Sequence, residues 1–347
     1  MTATTPIVHS GLRARPDRRR FIRISAAAAG MALLPPLDYA RADFKVPDAQ
    51  RELRIWQGVA LGADAMLQLH HPDPAEADRL IGKCLTEVSR LERIFSLYRD
   101  DSALRRLNRD GRLTDPPIEL VELMGSAESF SKLTAGAFDA TVQPLWDLYA
   151  THFAALDADP AGPSEAAIAA TLACVGHEAL EIDPTQISFA RGGMSVTLNG
   201  IAQGYITDCI VDLLRRAGVD RSLVDMGETR AIGPRPSGEP WIIGLEDPRA
   251  PGQVTKRIEI VNQAVATSGG YGTLFDAAGR FNHIFDPSTG RTSWRYLSVS
   301  VIAPNATAAD ALSTAFSIMP LDCIREIVSR LNFKVHVVTP DGRAFFV

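Results

Sequence analysis

The chain has 347 residues, 46% of them hydrophobic, and a formal net charge of -5. That is enough apolar material for a large core, as one big domain or two, and too little positive charge to expect nucleic acid as a partner. Its four cysteines, Cys84, Cys174, Cys209 and Cys323, stand far apart with no CxxC or Cys/His cluster. Neither a zinc site nor a thioredoxin-like motif is supported, while pairing among the cysteines stays open.

The N-terminus reads as an address. Arg18-Arg19-Arg20-Phe21-Ile22-Arg23 precedes an apolar stretch from Ile24 to Leu34, and Ala40-Arg41-Ala42 follows with a small-x-small pattern. A charged, an apolar and a cleavage region in that order make a signal peptide. The apolar part is shorter than the roughly 20 residues that a bilayer requires. The arginine pair before Phe-Ile-Arg resembles the twin-arginine consensus. Residues 1–42 are expected to be a twin-arginine signal peptide read by the twin-arginine export machinery, leaving a periplasmic mature chain of residues 43–347.

Two strand-like runs between Leu53 and His71 flank Gly62-Ala-Asp64. After Pro74 the spacing of Ala77, Leu80, Ile81, Cys84, Leu85, Val88 and Leu91 predicts a helix. It leads into Phe95-Ser-Leu-Tyr-Arg-Asp-Asp-Ser102, where Arg99 suits a phosphate and Tyr98 a flat ring. A plain loop capped by Asp101 or Ser102 explains the same residues equally well. A second helix over Ile118 to Leu133 runs into a segment in which Gly136 allows close backbone approach and Phe138 is expected to cover an aromatic ligand.

A further helix is expected from Ser164 to Cys174, then a hairpin from Ile187 to Leu198 turning at Arg191-Gly-Gly193. Asn199-Gly-Ile-Ala-Gln-Gly-Tyr205 opens a helix that ends at Gly218. Strand, glycine turn and helix aim backbone groups at phosphates, although neither GxGxxG nor the Walker pattern is present. Ser222–Met226, Trp241–Leu245 and Ile258–Thr267 read as strands, followed by the glycine-rich turn Ser268–Gly272. Asp286 heads a turn signature, Asp286-Pro-Ser-Thr-Gly290. His283 just before it has the chemistry to accept a proton near neutral pH.

Leu297 to Ala303 alternates like a strand with one buried face, and Pro304-Asn305 breaks it. Thr307 is expected to cap the helix that follows. On that helix Asp310 and Thr314 are four apart and share a face. A carboxylate and a hydroxyl are hard oxygen ligands that suit Mg²⁺, but Asp310, three residues past Thr307, also fits a helix-capping role. A helix from Leu321 and a hairpin around Pro340-Asp-Gly342 finish the chain. Frequent hairpin turns without regular βαβ alternation predict an α+β fold, with mixed, mostly antiparallel sheets flanked by helices.

Seven blocks in order resemble the ApbE family of FAD:protein FMN transferases. They are Phe95–Arg99 with Leu107-Asn108, Gly136–Asp139 to Pro144, Asn199–Tyr205, Val224–Gly227, Ala266–Gly269, His283–Pro287 and Ala309–Thr314. The twin-arginine signal and the divergent glycine and aspartate blocks are most similar to the NosX-like periplasmic branch, associated with nitrous oxide respiration. The resemblance implies a Mg²⁺-dependent enzyme in one compact domain with its flavin site in a cleft. Such an enzyme cleaves FAD and links FMN by a phosphoester to a Thr or Ser of an acceptor protein, releasing AMP. The acceptor it implies is a periplasmic domain of a membrane-bound electron-transfer protein, of NosR type.

Residue by residue, the resemblance places the metal on Asp310 and Thr314 with the Gly200 carbonyl, and catalysis on Asp310 and on His283 as proton acceptor. It places FAD against Leu61, Ser96, Tyr98, Arg99, Gly136, Ala137, Phe138, Asp139, Thr197, Gln203, His283 and Ile284. Thr197, Asn199, Gln203, Glu228 and Leu61 stand where the family usually has aspartate, glycine, lysine, glycine and methionine. A flavin-binding protein without transfer and an FAD pyrophosphatase are the competing readings.

Overall fold

The computed structural model describes residues 53–60 and 62–347. The expected signal peptide and Leu61 lie outside the described residues. The chain opens with a hairpin of β1 (Leu53–Ala60) and β2 (Ala63–His70), in which Ala63, Ala65, Leu67 and Leu69 alternate inward. Asp73 caps α1 (Pro74–Phe95) by accepting from the Ala75 and Glu76 amides, and the expected apolar stripe is buried. Ser102, one of the two residues read as capping the loop Phe95–Ser102, caps α2 (Ala103–Asp110): its hydroxyl accepts from the Arg105 amide, and Gly111 closes the helix left-handed. Next come β3 (Arg112–Thr114), α3 (Ile118–Leu133), α4 (Gln143–Ala154), α5 (Glu165–Leu172), β4 (Leu180–Asp183) and β5 (Gln186–Phe189).

The expected hairpin from Ile187 to Leu198 does not form. Strand β5 pairs with β3 and β4 instead. The stretch beyond it is held by Asn108 of α2, whose side chain donates to the Val196 carbonyl and accepts from the Val196 amide, both at 2.8 Å. The side-chain amide satisfies backbone groups that a strand partner would otherwise serve.

There follow α6 (Ala202–Arg216), β6 (Ser222–Asp225), β7 (Thr229–Ile232), β8 (Trp241–Asp247), β9 (Ala250–Ile260), β10 (Ala264–Ser268), β11 (Phe285–Asp286), β12 (Arg291–Thr292) and β13 (Ser298–Ala303). The chain ends with α7 (Ala306–Phe316), α8 (Leu321–Leu331), β14 (Lys334–Val338) and β15 (Ala344–Phe346). Eight strands form one sheet in the order β1-β2-β6-β7-β10-β13-β14-β15. Every strand pairing among the described residues is antiparallel, so the α+β expectation holds.

Side-chain alternation gives the sheet two covered faces. Val224, Ala266, Val299 and Val301 point into the main core with α1, α6 and α7. Leu223, Ala231, Val265 and Ile302 point the other way, onto Trp241, Ile243 and Ile260 of the β8–β9 hairpin. A third, aromatic cluster sets Tyr149 of α4 against Phe275, Phe281 and Phe285 at 5.9, 5.9 and 5.1 Å. It anchors the segment that carries His283. All four cysteines are free.

Candidate active site

Helices α6 and α7 meet so closely that only glycine fits between them. A Cβ on Gly204 would lie 2.3 Å from the Ala306 carbonyl oxygen and 2.9 Å from Asp310 Cβ. The close approach lets the Gly204 amide donate to Asp310 Oδ2 at 3.0 Å. Asp310 is only 3% exposed. Burial pushes its carboxyl well above the usual carboxylate range, the Gly204 bond opposes that, and the charge of Asp208 adds to it.

The capping expectation for this helix is corrected. Asn305, rather than Thr307, is the cap and accepts from the Ala308 amide at 2.8 Å. The Thr307 hydroxyl instead donates to Asp208 at 2.6 Å. Asp310 does not serve its own helix end at all, because its carboxylate faces α6.

One turn further along α7, Thr314 meets Gly200, where an added Cβ would stand 2.9 Å from Thr314 Oγ1. Ser268 at the end of β10 lies 3.3 Å from the same hydroxyl and 2.7 Å from that of Ser313. The three residues read as metal ligands are thus gathered in one corner. Among the described residues no three His, Cys, Asp or Glu side chains form a metal cluster. The corner offers one carboxylate short of donors, hydroxyls and backbone, all oxygen ligands, so it fits Mg²⁺ and not a softer metal.

Gln203, at the start of α6, is 5% exposed, and its Nε2 has no hydrogen-bond partner among the described residues. It rests on Gly227, where a Cβ would sit 2.5 Å away and φ is +102°. Glu228 follows, buried at 2% exposure. Burial raises its carboxyl well above the usual range, then the charges of Asp310 and Asp225 raise it further. In the sequence Glu228 stands out only as a departure from the family's usual glycine, and its acidic type after a strand-ending glycine is the signal available there.

His283 sits on one arm of a short hairpin closed by its own amide donating to the Thr273 carbonyl (3.2 Å) and by the Phe275 amide donating to the Phe281 carbonyl (2.9 Å). Its Nδ1 lies 3.3 Å from that same Thr273 carbonyl. A carbonyl only accepts, so Nδ1 carries the proton and Nε2 keeps a free lone pair. Burial lowers the imidazole pKa, which favours that neutral form. An added Cβ on Gly272 would contact the ring at 3.2 Å. The turn from Ser268 to Gly272 therefore joins the Thr314 corner to the histidine. Beside it, buried Asn282 accepts from the amide of Ile284, itself 6% exposed. Asp286 caps its turn, accepting from the Ser288 amide at 2.9 Å.

The remaining expected cofactor residues lie in two groups. Tyr98 is 68% exposed, its amide donates to Ser96 Oγ (3.1 Å), and Arg99 pairs with Asp101 (3.2 Å). Gly136 takes φ +84° just past α3, with open space where a Cβ would stand and half-buried Ala137 beside it. The expectation that Phe138 covers a ligand ring is corrected, since its side chain is 4% exposed and packs edge-on against Phe130 in the main core. Asp139 is likewise committed, accepting from the Thr141 amide and hydroxyl and from the His177 amide. Thr197 is drawn to this group by its amide, which donates to the Ala140 carbonyl at 2.8 Å.

The ApbE family model matches residues 61–338 of the chain. The chain belongs to the ApbE family. Its fold and its reading as a transferase enzyme follow from that membership and from the relatives. It is similar to the FAD:protein FMN transferase of Escherichia coli K12, 27% identical over 85% of this chain and 86% of the relative. The enzyme of the same name from Haemophilus influenzae is 30% identical over 72% of this chain and 75% of its own length. Among solved structures, the ApbE protein of Thermotoga maritima superposes with a TM-score of 0.75 at 29% identity, covering 84% of this ApbE chain and 96% of that one. The flavin transferase ApbE of Vibrio cholerae gives 0.73 at 27% identity, over 85% and 97%.

Proposed function

We propose that this ApbE-family chain transfers FMN from FAD to a Thr or Ser hydroxyl of an acceptor protein. The observation that carries the reading is the Asp310–Thr314–Gly200 corner, an oxygen-only donor set joined by one glycine turn to a neutral histidine. Asp310, Thr314 and the Gly200 carbonyl would hold Mg²⁺, which when bound offsets negative charge on the pyrophosphate. Nε2 of His283 takes the proton as the acceptor hydroxyl bonds to the FMN phosphorus. The bond from that phosphorus to the AMP oxygen breaks, and AMP leaves with the electron pair. The Thr273 carbonyl holds the ring in the tautomer this requires. Burial keeps it unprotonated near pH 7.

FAD would lie along the surface from Tyr98, Ser96 and Arg99 past Gly136 and Ala137 to Thr197, Gln203 and Ile284, meeting Phe138 and Asp139 through their backbone. The arginine-rich start and Ala-Arg-Ala end of residues 1–42 support twin-arginine export of a single mature domain, 43–347, to the periplasm. On that reading the acceptor is a periplasmic domain of a membrane electron-transfer protein. The sequence departures favour the NosX-like branch, nitrous oxide respiration and a NosR-type acceptor.

The test is to mix mature protein, FAD and Mg²⁺ with a periplasmic acceptor fragment that another family enzyme is known to label, then run a denaturing gel. Flavin fluorescence on the acceptor, lost with chelator, is the expected result. A dark acceptor with FAD retained would make the chain a flavin-binding protein, and free FMN with AMP would make it a pyrophosphatase.

A further inference from the structure

We propose that Ser268 positions the Thr314 hydroxyl for the cation: it accepts that hydroxyl's hydrogen bond and so leaves the lone pairs of the Thr314 oxygen free for the ion. The proposal rests on the cation reading above and adds to it a residue that acts through Thr314.

Three hydroxyls stand in a row between β10 and α7. Ser268 Oγ lies 2.7 Å from Ser313 Oγ and 3.3 Å from Thr314 Oγ1, and Ser313 Oγ lies 2.9 Å from the backbone carbonyl of Asp310. Each hydroxyl has one proton to give. A carbonyl only accepts, so the Ser313 proton goes to Asp310, and Ser313 meets Ser268 by accepting from it. The Ser268 proton is thereby spent, and its oxygen meets Thr314 by accepting in turn. The far end fixes the direction of the whole row: Thr314 donates to Ser268, Ser268 to Ser313, and Ser313 to the Asp310 carbonyl.

A hydroxyl that ligates a cation must offer a lone pair and turn its proton elsewhere. A helical threonine often gives that proton to a carbonyl one turn back, but here the Asp310 carbonyl takes the Ser313 proton. Among the described residues, Ser268 is the one side chain within hydrogen-bond distance of the Thr314 hydroxyl. Ser313 is 0% exposed, so water does not compete for its end of the row. Ser268 is held at the end of β10, in register opposite Val299. Thr267, one residue earlier, faces the other side of the sheet and bonds Ser300 at 2.8 Å. The row thus sets a ligand's lone pairs from a rigid strand before any ion arrives.

Titration of the purified chain with Mn²⁺ alone, without flavin, tests this through the electron paramagnetic resonance signal of the free ion. Ser268→Ala is expected to weaken Mn²⁺ binding about tenfold while the melting temperature holds, and Ser268→Thr, which keeps the hydroxyl, to restore the native affinity. Ser313→Ala should weaken binding as well, because the Ser268 proton then turns onto Thr314. The double alanine variant should bind no worse than Ser268→Ala, since Ser313 acts only through Ser268. Thr314→Val and Asp310→Asn are the references and should both lose affinity. Loss in the references with native affinity in Ser268→Ala, or additive losses in the double variant, would overturn the role of Ser268 and leave the cation corner standing. No Mn²⁺ binding by the native chain, or native affinity in both references, would overturn the corner itself.

Discussion

Two aspartates at the α6–α7 contact, Asp208 half-buried and Asp310 buried, do opposite things. Asp208, on α6, reaches to the start of α7 and is saturated. It accepts from the Ala306 and Thr307 amides at 2.8 and 2.9 Å and from the Thr307 hydroxyl, and it pairs with Arg230. Asp310, on α7, reaches back to the start of α6 and, among the described residues, finds one donor, the Gly204 amide. A carboxylate given every partner it can use is a structural joint. One buried with too few partners costs free energy unless something else arrives, and that deficit is what prepares it for an ion.

Exchanging each for alanine separates the roles. Asp310→Ala is expected to lower FMN transfer about a thousandfold, the several kcal/mol that a catalytic metal supplies. Its melting temperature should not fall, because the lost group is short of donors. Full activity in that variant would end the metal assignment. Asp208→Ala should instead cost about 3 kcal/mol in a urea melt, since it strands Arg230 and two helix-start amides. The molecules that remain folded should transfer at near the normal rate. A stable but inactive Asp208 variant would reverse the comparison.

His283→Ala should slow transfer about a hundredfold with FAD still bound. Burial holds this imidazole below its ordinary pKa, so at saturating Mg²⁺ the native rate should stay flat through pH 7 and fall only on the acid side of the ordinary histidine range. As pH drops, the proton occupies Nε2 and the base is lost. The variant should lack that acid limb, and an identical profile would remove His283 as the acceptor. The smallest effect is expected from Gly200→Ala, whose Cβ would crowd Thr314 Oγ1 at 2.9 Å. About tenfold more Mg²⁺ for half-maximal rate is the readout, and an unchanged requirement would detach Gly200 from the corner.

Much of the frame was legible in the chain itself. Apolar spacing marked α1 and α3, and the latter spans the expected Ile118–Leu133. The strand before Pro304 and the pairing of Asp310 with Thr314 on one helical face were also readable, because period and offset are local properties. The failures share a cause. Thr307 was an acceptable cap by type, yet Asp208, 99 positions away, claims its hydroxyl. The segment before Leu198 had strand composition, yet Asn108, 88 positions away, serves its backbone. Phe138 looked like a ring cover until the core absorbed it.

The order of residues alone thus determined which side chains have the chemistry, Asp310, Thr314 and His283 among them, and which helices and strands carry them. Tertiary structure alone decided which carboxylate is satisfied and which is left wanting. It also decided that Gly200 stands beside Thr314, that the Gln203 amide has no partner among the described residues, and that Glu228 is buried. Donor supply and burial are counted over every chain segment that reaches a point in space, and no local stretch of sequence contains that count.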